Sequence, residues 1–209
     1  MEYILGIDTG GTYTDGVLVE AISKKVCCKA KALTTKENLV IGINNCIEAL
    51  SIEDVSEIEM VCISTTLATN AVVEDKGCRA GLIVLGKNIK KTLPTQVCYF
   101  VNGLFTIQGK LEYDLDEEGV KKAFLHMREK IDALVISGYA STRNPEHELR
   151  AKAIIGELSD IPVICAHEIT GKLGYYERTV TALLNARLIP IIKELINDTK
   201  TVLRQRGIS

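Results

Sequence analysis

One short stretch concentrates groups able to handle phosphate: Gly6-Ile7-Asp8-Thr9-Gly10-Gly11-Thr12-Tyr13-Thr14-Asp15. A strand delivers the Asp8 carboxylate to a double glycine, and threonine hydroxyls line the return. Glycines lack a Cβ, so successive backbone N–H groups can converge on an anion. Thr9, Thr12 and Thr14 offer hydroxyl donors beside them. A carboxylate next to a phosphate is repelled unless a cation lies between, and Mg²⁺ suits Asp8 because it prefers oxygen ligands and keeps its waters. Asp, Thr and Gly are also ordinary turn formers, so an isolated double glycine reads as a plain hairpin. The other common phosphate motifs, Gly-x-x-x-x-Gly-Lys-Ser/Thr and Gly-x-Gly-x-x-Gly after a strand, are absent.

Three further groups carry chemistry or its imitation. Thr65, Thr66, Thr69 and Asn70 cluster where a strand meets a helix N-terminus, a location that favours anions and also ordinary N-caps. Glu177, Thr181 and Asn185 recur at i, i+4 and i+8, which puts three polar groups on one helix face, with Arg178 and Ala182 one position further round. His147, in Asn144-Pro145-Glu146-His147-Glu148, falls in a first helical turn with acidic neighbours that match the helix dipole. The cysteines (Cys27, Cys28, Cys46, Cys62, Cys78, Cys98, Cys165) form no Cys-x-x-Cys pair and read as buried free thiols. Cys165-Ala166-His167 is the nearest approach to a metal pair, and a structural metal is not expected.

The elements that must position these groups follow from periodicity. Ile4 to Asp8, Asp15 to Glu20 and Val26 to Leu33 read as three strands joined by tight turns, an antiparallel meander. Thr34 and Glu37, at capping-box spacing, open a helix whose Leu39, Ile43, Cys46, Ile47 and Leu50 share a buried face. A strand at Met60 to Ser64, a helix from Thr66 to Lys76 and a strand at Ala80 to Leu85 complete a β-β-β-α-β-α-β order, with Gly77 as a left-handed helix end. Lys87 to Glu112 reads as a loop-rich connection holding at most a short hairpin. Then come a helix with Val120, Phe124, Met127 and Ile131 on one face, a strand at Ala133 to Tyr139, a helix capped by Asn144 and a strand at Ile161 to Cys165. From Tyr175 to about Arg206 the chain reads as helix, with Leu184, Leu188, Ile191 and Leu195 in one stripe and a kink or break at Pro190.

Composition narrows the classes. In 209 residues, 25 Lys+Arg stand against 27 Asp+Glu for a formal charge of −2. That balance excludes a strongly basic nucleic-acid face or a polybasic membrane anchor. No run reaches the roughly 18 apolar residues of a membrane span. The N-terminus lacks the basic flank of a signal peptide, so a soluble, cytoplasmic chain is expected.

An antiparallel meander feeding βαβ units is the ribonuclease-H-like half on which actin-type ATPases are built, and it differs from the dinucleotide fold, which starts with parallel crossovers. The chain resembles more closely the N-terminal region of the hydantoinase A / 5-oxoprolinase family, within the actin-like ATPase superfamily. Four segments carry the resemblance in the family's order: the Gly6–Asp15 hairpin, Thr65-Thr66-Leu67-Ala68-Thr69-Asn70-Ala71, Asn144-Pro145-Glu146-His147-Glu148, and Glu177-Arg178-Thr179-Val180-Thr181-Ala182-Leu183-Leu184-Asn185-Ala186. Two departures stand out: Ile63-Ser64 replaces the family's His-Gly, and Gly86-Lys87-Asn88-Ile89-Lys90-Lys91 replaces an arginine-containing, Gly-Phe-rich stretch.

The resemblance implies an ATP-dependent hydrolase that activates cyclic amides such as hydantoins and 5-oxoproline by phosphoryl transfer to the amide oxygen. It implies ATP and Mg²⁺ as cofactors. Asp8 would hold the metal through water, and Thr9, Gly10, Gly11, Thr12, Thr14 and Asp15 would form the phosphate site. Thr65, Thr66, Asn70, Glu177, Arg178 and Asn185 would line it. Three segments are expected: residues 1–86 as the phosphate-binding subdomain, 87–174 as a second α/β segment, and 175–209 as a helical lead to a second half. That half, as a C-terminal portion or a partner subunit, would complete the clamp around the nucleotide. Two other classes share the hairpin: a noncatalytic binding or assembly domain that keeps the fold, and half of a small-molecule kinase.

Overall fold

The computed structural model describes residues 2–35 and 38–208. The first three strands form as the alternation of residue types dictates. β1 (Tyr3–Thr9), β2 (Tyr13–Glu20) and β3 (Val26–Leu33) pair antiparallel, and β4 (Ile58–Thr65) joins β1 in parallel to give the order β3-β2-β1-β4. Leu5, Ile7 and Leu18 point to one face of this sheet. There they meet Leu39, Ile43, Ile47 and Leu50 of the helix α1 (Leu39–Ala49) and its end, together with Leu195, Val202 and Ile208. Gly16 makes that approach close, since a Cβ there would sit 2.8 Å from Cys46 Sγ. The expected stripe Leu39, Ile43, Cys46, Ile47 and Leu50 is buried throughout. The cap differs from expectation: Asn38 Oδ1 accepts from the Val40 N–H, which makes Asn38 the N-cap, and Glu37, the other half of the expected capping box, lies outside the described residues.

α2 (Leu67–Val73) is shorter than expected. Its left-handed ending falls on Asp75, with φ 52°, whereas Gly77 has φ 136° and lies against Arg187, whose carbonyl oxygen would be 2.8 Å from a Cβ. The strand at Ala80–Leu85, β5, does not extend the first sheet. It pairs in parallel with β9 (Ala133–Gly138) and with β6 (Cys98–Val101), and β10 (Val163–Cys165) completes a second sheet of order β10-β9-β5-β6. β6 falls in the stretch read as loop. The expected short hairpin is also there, as β7 (Leu104–Phe105) with β8 (Leu111–Tyr113).

Both faces of this parallel sheet are covered, as parallel strands require. One side of β5 and β9 packs on Val120, Phe124 and Met127 of α3 (Glu117–Met127) and on Ala151 and Ile155 of α4 (Glu146–Gly156). The other side packs on Ala166, at the head of α5 (Ala166–Ile169), and on Ala182, Leu183 and Ala186 of α6 (Tyr175–Gln205).

The chain divides into two compact units, one of residues 1–75 and 191–209, the other of residues 76–190. These cuts differ from the three-segment division expected, because β5 belongs to the second sheet and the last part of α6 belongs to the first unit. The helix runs through Pro190 without a break. Pro190 leaves the Ala186 carbonyl without its helical donor, and the Cys78 thiol donates to that carbonyl at 3.4 Å, with the Cys78 N–H on the Arg187 carbonyl at 3.0 Å. The expected stripe of α6 holds only at Leu195, which is buried; Leu184, Leu188 and Ile191 are half-buried, and Ala182, Leu183, Ala186 and Val202 are buried instead.

Candidate functional site: a carboxylate row beside a glycine turn

The first sheet buries one face and leaves the other open. On the open face four register partners form a single row across the strands: Lys31 on β3, Asp15 on β2, Asp8 on β1 and Ser64 on β4. Cross-strand partners have Cβ atoms about 5 Å apart, so two carboxylates stand side by side. Each has its own neighbour on the outer flank. Lys31 Nζ lies 2.9 Å from an Asp15 carboxylate oxygen, and the Asp15 side chain together with Tyr13 keeps the Lys31 ammonium above its ordinary pKa. Ser64 Oγ donates to Asp8 Oδ1 at 2.7 Å. Among the described residues Asp8 has no cationic partner. The row borders an open depression of about 460 Å³, whose floor includes Gly6, Val17, Lys29 and Cys62.

Beyond Asp8 the hairpin closes through one bond, Gly10 N–H to the Tyr13 carbonyl at 2.9 Å. The N–H groups of Gly11 and Thr12 have no partner among the described residues. Neither glycine is in the left-handed region; both serve close approach. A Cβ on Gly10 would stand 3.0 Å from the Tyr13 carbonyl oxygen and 3.7 Å from Thr66 Oγ1, and one on Gly11 would stand 3.0 Å from Asn70 Nδ2. Thr66 and Asn70 therefore lie against the turn. Thr65 instead ties β1 to the start of α2, its hydroxyl donating to the Thr9 carbonyl at 2.7 Å and accepting from the Leu67 N–H at 3.0 Å.

Two expected donors turn the other way. Side chains alternate along a strand, so Thr9 and Thr14, beside Asp8 and Asp15 in sequence, point into the core and are fully buried. Thr14 Oγ1 meets Thr34 Oγ1 at 3.0 Å, and Thr9 Oγ1 has no partner among the described residues. Their hydroxyls are not available at the open face. Thr12 remains exposed at the turn.

Glu177, Arg178 and Asn185 belong to the second unit. Glu177 is exposed, 3.8 Å from Lys91 Nζ. Thr181 and Asn185 return their polar atoms to the helix backbone, to the Glu177 and Thr181 carbonyls. Arg178 is buried, and its guanidinium donates to the carbonyls of Lys172, Leu173, Gly138 and Tyr139; burial lowers its pKa from the ordinary value. It joins the end of β9 to the start of α6.

Near it lies the cluster that sequence reasoning missed. Glu148 is fully buried, accepting from the Gly138 N–H at 2.6 Å, the His167 N–H at 3.1 Å and His167 Nδ1 at 2.5 Å. Cys165 comes close enough that Glu148, Cys165 and His167 hold their ligand-type atoms within 4.8 Å of one another. Burial, with Glu148 nearby, pushes the Cys165 thiol up to about 12, so at neutral pH it stays protonated and donates to the Glu148 carbonyl at 3.5 Å. His147, in the first turn of α4 as expected, is buried with both ring nitrogens lacking a hydrogen bond among the described residues. Burial lowers its pKa. The adjoining cavity, about 10 Å³, has room for no more than a water. Of the seven cysteines, Cys46 and Cys165 are buried as expected, but Cys27, Cys62 and Cys98 are exposed.

A meander that opens on a Gly-Gly turn, followed by a helix and a parallel fourth strand, defines the first unit as a ribonuclease-H-like, actin-type half. Residues 4–159 match the hydantoinase/oxoprolinase N-terminal region, and the chain belongs to that family. It is 31% identical to the acetophenone carboxylase gamma subunit of Aromatoleum aromaticum, over 97% of this chain and 33% of that protein. It is 28% identical to the caprolactamase subunit alpha of Pseudomonas jessenii, over 99% and 34%. The solved structure of the ATP-dependent caprolactamase from that organism superposes with a TM-score of 0.76 at 27% identity, covering 98% of this chain and 34% of that one. A nucleotide-free acetone carboxylase gives a TM-score of 0.82 at 23% identity, over 99% and 35%, a likeness of fold. The chain spans about a third of the length of the curated relatives it matches. The alignment with the acetophenone carboxylase subunit runs over 246 residues against the 209 here, so that relative carries segments this chain lacks. Among the described residues no helix is long and apolar enough to cross a membrane.

Proposed function

We propose that the first unit binds the phosphates of Mg·ATP and that the chain is the N-terminal part of an ATP-dependent enzyme acting on a cyclic amide. The observation that carries this reading is the place of Asp8 in the row, between Asp15 and Ser64. Among the described residues that carboxylate faces a second one, holds one neutral hydroxyl and no cation, and sits beside a turn whose Gly11 and Thr12 N–H groups have no partner. Like charges opposite one another on a sheet are destabilising, and a divalent cation at Asp8 relieves that repulsion. The donor set fits the metal: a carboxylate and hydroxyls, all oxygen, on a face open enough to keep waters.

When bound there, Mg²⁺ would neutralise charge on the phosphate oxygens and polarise them for transfer. The chain's own residues do the rest. Asp8 would hold the cation. Gly11 and Thr12 donate their N–H groups to phosphate, and the bare Cα atoms of Gly10 and Gly11 leave room for it. Thr66 and Asn70 close the far side of the turn. Asp15 keeps Lys31 occupied, so that lysine does not cancel the charge at Asp8. Phosphoryl transfer to an amide oxygen, the reaction the family resemblance implies, makes that oxygen a leaving group, and catalysis of this kind rests on positioning and charge stabilisation. The remaining nucleotide contacts come from a C-terminal portion or a partner subunit, in keeping with relatives about three times as long. A cytoplasmic setting accords with this use of ATP and with cysteines that form no disulfide among the described residues.

Replacing Asp8 by Ala in the intact enzyme is expected to reduce ATP-dependent turnover to background while the protein stays folded. Undiminished turnover would contradict the assignment.

A further inference from the structure

We infer that Ser64 is a positioning residue for Asp8, setting which carboxylate oxygen faces the cation. The inference rests on the reading of Asp8 as the metal-holding group. Ser64 is the register partner of Asp8 on the neighbouring parallel strand, so both side chains leave the same face of the sheet. The Oγ to Oδ1 distance of 2.7 Å is that of a charge-assisted hydroxyl–carboxylate bond. Both residues are exposed, and an exposed Asp without a partner samples several rotamers. One bond to a hydroxyl on a fixed strand removes that freedom before any ligand arrives, and ordering done in advance is not subtracted from binding. Oδ2 is left without a protein donor among the described residues and is the oxygen free for a metal-bound water.

The other end of the row excludes a competitor. Lys31 is drawn to Asp15 at 2.9 Å, so each carboxylate has one flanking partner, and the partner given to Asp8 is neutral. A lysine in place of Ser64 would quench the site; a serine orients it. Ile63 has no part in this, because alternation sends its side chain to the opposite face, in register with Ile7.

The test uses the intact protein, Mg²⁺ and a nonhydrolysable ATP analogue, with binding followed by calorimetry across a range of Mg²⁺ concentrations. Ser64→Ala and Ser64→Gly are expected to raise the Mg²⁺ concentration for half-maximal binding roughly tenfold, the worth of one hydrogen bond to a charged group. Nucleotide affinity at saturating Mg²⁺ should be unchanged, and Ser64→Thr, which keeps the hydroxyl, should restore the wild-type dependence. The thermal midpoint of the ligand-free variants should match wild type, since a merely structural role would move that midpoint and leave the Mg²⁺ dependence alone. If the wild-type protein shows no Mg²⁺-dependent binding, the proposed function fails and this inference with it. If wild type responds and Ser64→Ala needs no more Mg²⁺, or Ser64→Thr behaves as Ser64→Ala, the positioning role alone is overturned.

Discussion

Two carboxylates, one in each unit, sit in opposite circumstances. Glu148 is buried at the end of β9 and surrounded by donors: two backbone N–H groups and the His167 ring. Asp8 is exposed on an open sheet face, opposite another carboxylate, with one hydroxyl. The first arrangement is complete, and the second has capacity left over. A buried charge must be satisfied by the protein itself or it costs several kcal/mol, whereas a half-satisfied charge on an open face is free to meet a ligand. The sheets differ in the same sense. β5 and β9 are buried on both faces along their whole length, while β1 and β2 alternate between core and open surface. The Glu148 cluster in the second unit therefore holds structure together, and the polar groups on the open face of the first remain available for binding.

That contrast can be broken by mutation. The largest effect should come from Glu148→Ala, which orphans three donors and removes the negative charge near the buried Arg178. A loss of about 3–5 kcal/mol is expected, read as a shift in the denaturant midpoint; a loss under about 1 kcal/mol would show that the cluster is not closed. Next is Thr9→Val. Thr9 Oγ1 is buried without a partner among the described residues, so the nearly isosteric valine should raise stability by about 1 kcal/mol and leave nucleotide binding intact. Weaker binding in Thr9→Val would instead return Thr9 to the phosphate site.

The smallest effect concerns Asp132 in the second unit. Its carboxyl is held down to about 2 by hydrogen bonds from the Arg79 side chain and then from the Arg79 N–H. A depressed carboxyl contributes stability that is present above its unfolded value near 4 and is lost as pH falls toward 2. With the two side chains 63% and 41% exposed, solvent screening keeps that contribution below about 1 kcal/mol. Asp132→Asn should be slightly less stable than wild type at pH 6, with the gap closing by about pH 2. A gap that persists unchanged at pH 2 would mean that the ion pair is not its source.

Much of this was legible in the chain itself, and the division follows the range of the forces. The double-glycine hairpin, the meander and the helix carrying Leu39, Ile43, Cys46, Ile47 and Leu50 are set by neighbours within a turn or a tight loop. Local pattern therefore reveals them. The inward aim of Thr9 and Thr14 was legible in principle, because Asp8 and Thr9 cannot face the same side of one strand. Ser64 beside Asp8 was not, since 56 residues separate them and only the parallel register of β4 on β1 brings them together. The same holds for β5, whose apolar run fits either sheet, and for β6, four residues that give pattern too little length. Pro190 signals a kink or break, yet the helix continues and a thiol distant in sequence takes up the Ala186 carbonyl that proline leaves without its helical donor.

The most direct measurement is calorimetric binding of a nonhydrolysable ATP analogue to the intact protein, wild type against Asp8→Asn, with and without Mg²⁺. Binding that requires Mg²⁺ in the wild type and loses that requirement, together with most of its affinity, in Asp8→Asn is the predicted result. Equal, Mg²⁺-responsive binding by both proteins would contradict the assignment of Asp8 as the group that holds the cation at the glycine turn.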